Sequence, residues 1–307
     1  MKADDLLERI LRAPVYDVAV ESPLDPATRL SERLVNRVLL KRDDLQPIFS
    51  FKLRGAYNRI RRLDAQARGA GVVAASAGNH AQGVALAATR LGIDARIVMP
   101  RTTPAIKVDA VRRLGAEALL EGDGYDEAAT VARRIEHEEG RVFVHPYDDP
   151  DVIAGQGTIA MELLRQHSGA LDAIFVPVGG GGLIAGVAAY VKRISPETRV
   201  IGVEPHDAAC LAAALEAGEP VDIGPVGLFA DGVAVRRVGD HPFSVAREAV
   251  DEVVTVGIDE ICAAIRDVFD DTRSIAEPAG ALAVAGLKRW VERDGVRGAT
   301  LVAIDSG

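Results

Sequence analysis

The chain has 307 residues, 48% of them hydrophobic and 26% charged, enough for one large domain or two moderate ones with ample core. A formal charge of −9, from 36 basic against 45 acidic residues with no basic stripe, argues against nucleic acid or an anionic membrane as partner. Met1 to Leu11 is charged and amphipathic, without the apolar centre of a signal peptide, and no apolar run is long enough to span a bilayer. Cys210 and Cys262 are too few and too far apart for a disulfide framework or a zinc cluster, so no metal site is expected and the cytoplasm is the expected compartment.

Short β-branched runs alternate with longer helical ones, which predicts a parallel α/β architecture. Val38-Leu39-Leu40-Lys41 reads as the first strand. Ser50-Phe51-Lys52-Leu53-Arg54-Gly55-Ala56 then places an amine after an aromatic ring at the start of a helix. Val72–Ala75, Ala95–Met99, Ala118–Leu120 and Val142–Val144 read as buried strands, with helices near 80–91, 104–114 and 125–139. Pro100 and Pro104 bracket one strand-to-helix passage, and Pro146 closes the fourth of these strands.

A second series follows, with strands at Ile174–Val178, Val200–Val203, Val253–Val256 and Leu301–Ile304. Helices are expected near 156–167, 182–193, 207–216, 241–250, 259–269 and 278–293. The expected organisation is a larger domain of residues 1–68 and 152–307, into which a smaller domain of 69–151 is inserted. The sequence stops at Ser306-Gly307, directly after an apolar strand. Terminal residues are usually surface-exposed, so a sequence that once continued is expected.

Three segments carry chemistry. Gly179-Gly180-Gly181-Gly182 follows a strand and opens a helix, so its N–H groups can converge on an anion. The same letters fit G-x-G-x-x-A, with Glu204 ending the next strand, and so also allow a dinucleotide site or a plain tight turn. Lys52 lies among Ile48, Phe49, Phe51 and Leu53, where desolvation favours the free, nucleophilic amine; Ser50 is a candidate N-cap. Most lysines near a helix start are merely solvated. Ser76-Ala77-Gly78-Asn79-His80 follows a buried strand; its amides can clamp a carboxylate, or Ser76 can cap an ordinary turn, with His80 structural. An amine able to form an imine, with loops for a phosphate and a carboxylate, suggests pyridoxal 5'-phosphate (PLP) chemistry on a small amino acid.

Further segments join these: Lys41–Asp44, Ile97–Pro100, Ile106–Ala110, Val152–Thr158, Phe175–Gly182, Gly227–Val235 and Ala276-Glu277-Pro278. Together they resemble the fold-type II PLP enzymes, tryptophan synthase β-like, and most closely the biosynthetic threonine dehydratases, over residues 14–307. The resemblance implies two parallel-sheet α/β domains with the cofactor in the cleft between them. It implies that Lys52 carries PLP and moves the substrate's α-proton, that Phe51 packs beside the ring, and that Asn79 bonds its 3′ oxygen. Gly179, Gly180, Gly181, Gly182 and Leu183 would cradle the phosphate, and Ser306 would meet the pyridine nitrogen. The substrate carboxylate would fall to Ser76, Ala77, Gly78, Asn79 and His80.

A serine partner, unlike an aspartate, shares only a neutral hydrogen bond with the ring, which makes a weaker electron sink suited to β-elimination. The implied reaction is water loss from L-threonine, and L-serine, to a 2-oxo acid and ammonia, the first step of isoleucine biosynthesis. Serine racemase is the nearest rival, but Ala77 stands where that group has a second serine, and Cys210 where it has a second metal-binding carboxylate. A C-terminal regulatory domain is usual in the family and absent from this sequence. Homodimers or homotetramers are common in it. An NAD-dependent oxidoreductase built on Gly180 and Glu204, and a non-catalytic amino-acid sensor, are the alternatives from other classes.

Overall fold

The computed structural model describes residues 3–307. Strands β1 (Leu24–Pro26) and β2 (Arg37–Arg42) begin a larger sheet. Strands β3 (Val72–Ala75), β4 (Ala95–Met99), β5 (Glu117–Leu120) and β6 (Val142–Phe143) form a smaller one. Strands β7 (Ala173–Pro177), β8 (Arg199–Pro205), β9 (Glu252–Val256) and β10 (Thr300–Asp305) complete the first. The larger sheet has the order β1-β2-β10-β7-β8-β9 and the smaller β5-β4-β3-β6. Every pairing is parallel except β1 with β2. Helices cover both faces of a parallel sheet, which is why β7 and β3 are buried at every residue and read as unbroken apolar runs.

Expected and observed elements agree closely in both series, with several differences. β1 and the helix Thr28–Leu34 gave no periodic signal: one is three residues long and ends in Pro26, the other is seven residues. Helix Ala65–Ala70 is equally short. The helix expected from 156 begins at Pro150, because the Asp149 side chain caps it, accepting from the N–H groups of Asp151 at 2.8 Å and Val152 at 3.1 Å. The helix expected over 207–216 is a 3₁₀ turn, His206–Ala208, followed by a helix over Cys210–Ala217.

Helix Lys52–Arg61 joins the two cores. It packs on helix Asn79–Arg90 and on helix Pro150–Gln166, and its residues Ala56, Tyr57 and Ile60 complete the core of the smaller sheet. Its other face is fastened by a buried ionic network. Arg54 Nε meets Asp43 at 2.9 Å and Arg54 Nη1 meets Glu162, while Lys41 Nζ meets Glu162 at 2.6 Å. All four side chains have no exposure at all, and Ser22, Thr158 and Gln166 satisfy remaining polar atoms.

Candidate functional site

In an open parallel sheet, ligands bind beyond the carboxyl ends of the strands. All the chemically marked segments lie there. Ser50–Lys52 comes after β2, Ser76–Asn79 after β3, Pro146 after β6, the four glycines after β7, and Ser306 after β10.

Lys52 is the first residue of its helix. Its Nζ lies 3.4 Å from the Pro146 carbonyl and 5.2 Å from the centroid of the Phe51 ring. Burial lowers its pKa to about 8, opposed by the negative charge of Glu277. The apolar wall differs from the sequence expectation. Phe49 is 74% exposed, with φ +57°, and Ile48 and Leu53 pack away from the cleft with Ala13, Val15 and Ala19. Instead, the buried imidazole of His80 and the half-buried one of His145 stand near the amine. Burial, and then Lys52's charge, hold His80 at about 3; burial, and then the Arg133 charge with Lys52's behind it, hold His145 at about 4, so both rings are neutral. Ser50 is not the N-cap: that position is Phe51, and Ser50 Oγ is 3.5 Å from the Lys52 amide.

Ser76–His80 leads from β3 into helix Asn79–Arg90. Ser76 does not cap the helix either; its hydroxyl accepts from the Gly78 N–H at 3.2 Å, and Gly78 holds the cap position. A Cβ on Gly78 would meet nothing within 4 Å, and Ala77, Gly78 and Asn79 are only half-buried, so the loop's amides face open space. His80 Nε2 bonds the Val144 carbonyl at 2.9 Å, which orients the buried ring, and its Nδ1 has no partner.

Asn79 Nδ2 donates to Glu277 Oε1 at 2.8 Å. Glu277 was not singled out as a site residue from sequence. Burial raises its pKa, and it faces Asn79, Asp231, Lys107 and Lys52. The signal was present: Pro278 opens helix Pro278–Asp294, which puts Glu277 at its cap position, aimed out of the helix end.

The glycines after β7 form a turn that tolerates no side chain. Gly181 has φ +89°, and a Cβ on it would lie 2.8 Å from Pro242. On Gly180 a Cβ would enter the Tyr147 ring, and on Gly182 it would lie 3.0 Å from Tyr147 Cα. The turn opens helix Gly182–Ile194, whose free N–H groups and positive end suit an anion. Leu183 is buried in the core of the larger sheet, so only its backbone N–H is available there. Gly180→Ala is therefore expected to cost about 1–3 kcal/mol by overpacking and to weaken phosphate binding, measured by denaturant melts with and without inorganic phosphate.

Ser306 is buried, with Oγ 3.4 Å from the Ala279 carbonyl, and the Glu277 N–H donates to Gly307 O at 3.2 Å. The chain end thereby lies against the helix that carries Glu277, which in turn reaches Asn79. Lys52 and the glycine turn are joined by Pro146-Tyr147. A chain of contacts thus links Lys52 to the four glycines, and Asn79 through Glu277 to Ser306-Gly307. Glu204, the acid of the dinucleotide reading, is fully buried and accepts from the N–H groups of Leu211 at 2.7 Å and Ala212 at 2.9 Å. It is not free for a ribose hydroxyl. Cys210 Sγ donates to the Gly179 carbonyl at 3.3 Å, and no cluster of three or more His, Cys, Asp or Glu suited to a metal occurs among the described residues.

The chain is 57% identical over 310 residues to L-threonine dehydratase biosynthetic IlvA of Burkholderia multivorans, matching 100% of this chain and 61% of that protein. Thus it spans less than two thirds of that relative's length. Among solved structures, the processed form of threonine deaminase isoform 2 from Solanum lycopersicum superposes with a TM-score of 0.97 at 50% identity, over 99% of this chain and 84% of that one. Maize serine racemase superposes with a TM-score of 0.92 at 32% identity, over 98% and 92%. The family described as pyridoxal-phosphate dependent enzyme matches residues 16–307, and this chain belongs to it.

Proposed function

We propose that this chain carries out the β-elimination of water from L-threonine, and from L-serine, releasing 2-oxobutanoate or its shorter homologue with ammonia. The residues present fit PLP. A glycine turn that a Cβ would fill lies at a helix N-terminus, and a buried amine with pKa about 8 stands beside it across Pro146-Tyr147. That amine is the observation that carries the reading, since neither a nucleotide site nor a bare sensor needs one. When bound, PLP supplies the electron sink for loss of the α-proton.

In this reading Lys52 Nζ holds the cofactor and afterwards keeps and returns a proton at the substrate. The N–H groups of Gly179–Leu183 would take the phosphate, and Phe51 would pack beside the ring. Asn79, which bonds Glu277, would donate to the ring oxygen, and Ser306 Oγ would serve the ring nitrogen. The amides of Ser76–His80 orient the substrate carboxylate, with the His80 ring neutral behind them. Ala77 offers no acid or base on the far face of the substrate, which favours elimination over racemisation. The reading includes a larger domain of 1–68 and 152–307 around an inserted one of 69–151, a homodimer or homotetramer, and a cytoplasmic site of action. In keeping with the last, no helix among the described residues is long and apolar enough to cross a membrane.

The test is steady-state kinetics of purified protein with added PLP on L-threonine and L-serine, following 2-oxo acid. Turnover of both is expected, with a ratio of kcat/KM within the roughly 10- to 200-fold range that one methyl provides. The reading fails if no 2-oxo acid forms from either, or if the D-amino acid is the main product. Tight NADH binding without turnover would revive the oxidoreductase.

A further inference from the structure

Asp305 ends β10, one residue before Ser306, and is fully buried. Neither of its carboxyl oxygens has a hydrogen-bond partner. The facing residue on the neighbouring strand is Arg42, whose Nε stands 3.8 Å from Asp305 Oδ2. That guanidinium is already engaged. Its Nε and Nη2 hold Asp44 at 2.8 and 2.6 Å, Nη2 also holds Ser274 Oγ at 2.8 Å, and Nη1 reaches Asp25 at 3.4 Å. One cation therefore faces three carboxylates. Asp43 is close by but is matched by Arg54.

On the opposite side, helix Pro278–Asp294 brings no acidic residue in its first turn, only Glu277 at its cap. Asp305 Oδ1 lies 3.2 Å from where a Cβ on Gly280 would be, and the same missing Cβ leaves room for the Gly307 carbonyl. An ionised carboxylate enclosed here, with only the Gly307 backbone and an already engaged guanidinium to meet it, would be strongly disfavoured. Burial, and then Asp44, push Asp305 well above the usual carboxylate range, against Arg42 and the Gly307 backbone.

We propose that Asp305 is a positioning residue, standing as a neutral acid directly behind Ser306. It seats the Ser306-Gly307 segment against helix Pro278–Asp294 and keeps negative charge away from the ring-nitrogen side of the cofactor site. This rests on the PLP reading above. A carboxylate on that side would favour a protonated ring and a stronger sink; a neutral acid leaves the weak Ser306 contact in control. The sign of the pH effect follows from linkage. A carboxyl whose pKa is raised by folding holds its proton longer in the native state, so its contribution to stability is lost as pH rises through the native value.

The experiment compares wild type with Asp305→Asn, which keeps the shape and removes the charge. Thermal midpoints of the cofactor-free protein are measured across pH, and PLP affinity is measured by absorbance over the same range. The wild type is expected to lose midpoint with rising pH more steeply than the variant. Its PLP affinity should also fall, relative to the variant's, by on the order of tenfold as the pH is raised far enough to ionise Asp305. Parallel melting curves would overturn the neutral acid. Diverging melts with identical affinity profiles would overturn the link to Ser306. If neither protein binds PLP, the cofactor reading falls while the melts still decide the protonation state. Should Asp305→Asn fail to fold, Asp305→Thr takes its place in both measurements.

Discussion

Lys52→Ala is expected to abolish the visible absorbance of the protein loaded with PLP and to lower threonine turnover by about three orders of magnitude or more. A single positioned proton-transfer group contributes roughly 10²–10⁴-fold, and here the same amine also anchors the cofactor. Ala removes only one half-buried side chain at the start of a helix, so the melting temperature should move little. A large loss of stability would mean that the kinetic defect reported misfolding. The wild type makes a further demand. Capture of PLP needs the free amine, whose pKa is about 8, so roughly a tenth is free at neutral pH. The rate of PLP uptake should rise with pH through about 8 and level off above it. A flat rate across that range, or a coloured Lys52→Ala protein, would remove Lys52 from the chemistry.

What the sequence made legible was whatever is local. Strand β7, the glycines behind it and helix Gly182–Ile194 follow one another without interruption, so turn chemistry and periodicity spoke together. The start of helix Pro150–Gln166 was hidden because Gly155 looks like a loop residue. It is glycine because another backbone presses on it: a Cβ on Gly155 would lie 2.6 Å from the Arg54 carbonyl. Glu277 was equally hidden as a site residue, since its meaning depends on Asn79, 198 positions away. Phe49 was misjudged for a related reason. Proximity in sequence to Lys52 suggested a shared pocket, yet a positive φ turns its ring out to solvent. Periodicity reports which face of an element is buried; it does not report against what.

The largest stability effect is expected where charged groups are completely buried. Arg54→Ala should destabilise the protein by about 3–5 kcal/mol, because it leaves Asp43 and Glu162 as buried charges with too few partners. Lys41 would still meet Glu162 at 2.6 Å, but Ser22 would be the main remaining side-chain donor to Asp43. Chemical denaturation measures this directly. A loss below about 1 kcal/mol would show that water or a shifted side chain replaces the guanidinium. Arg54 is two residues after Lys52, on the first turn of the same helix, so the effect should reach the site. PLP affinity is expected to fall, yet saturating PLP should restore the visible absorbance, because the amine itself is intact. That recovery separates a residue that holds the helix from the one that does the chemistry. It also ties the ionic network, built from β2, helix Lys52–Arg61 and helix Pro150–Gln166, to the placement of a single nitrogen atom.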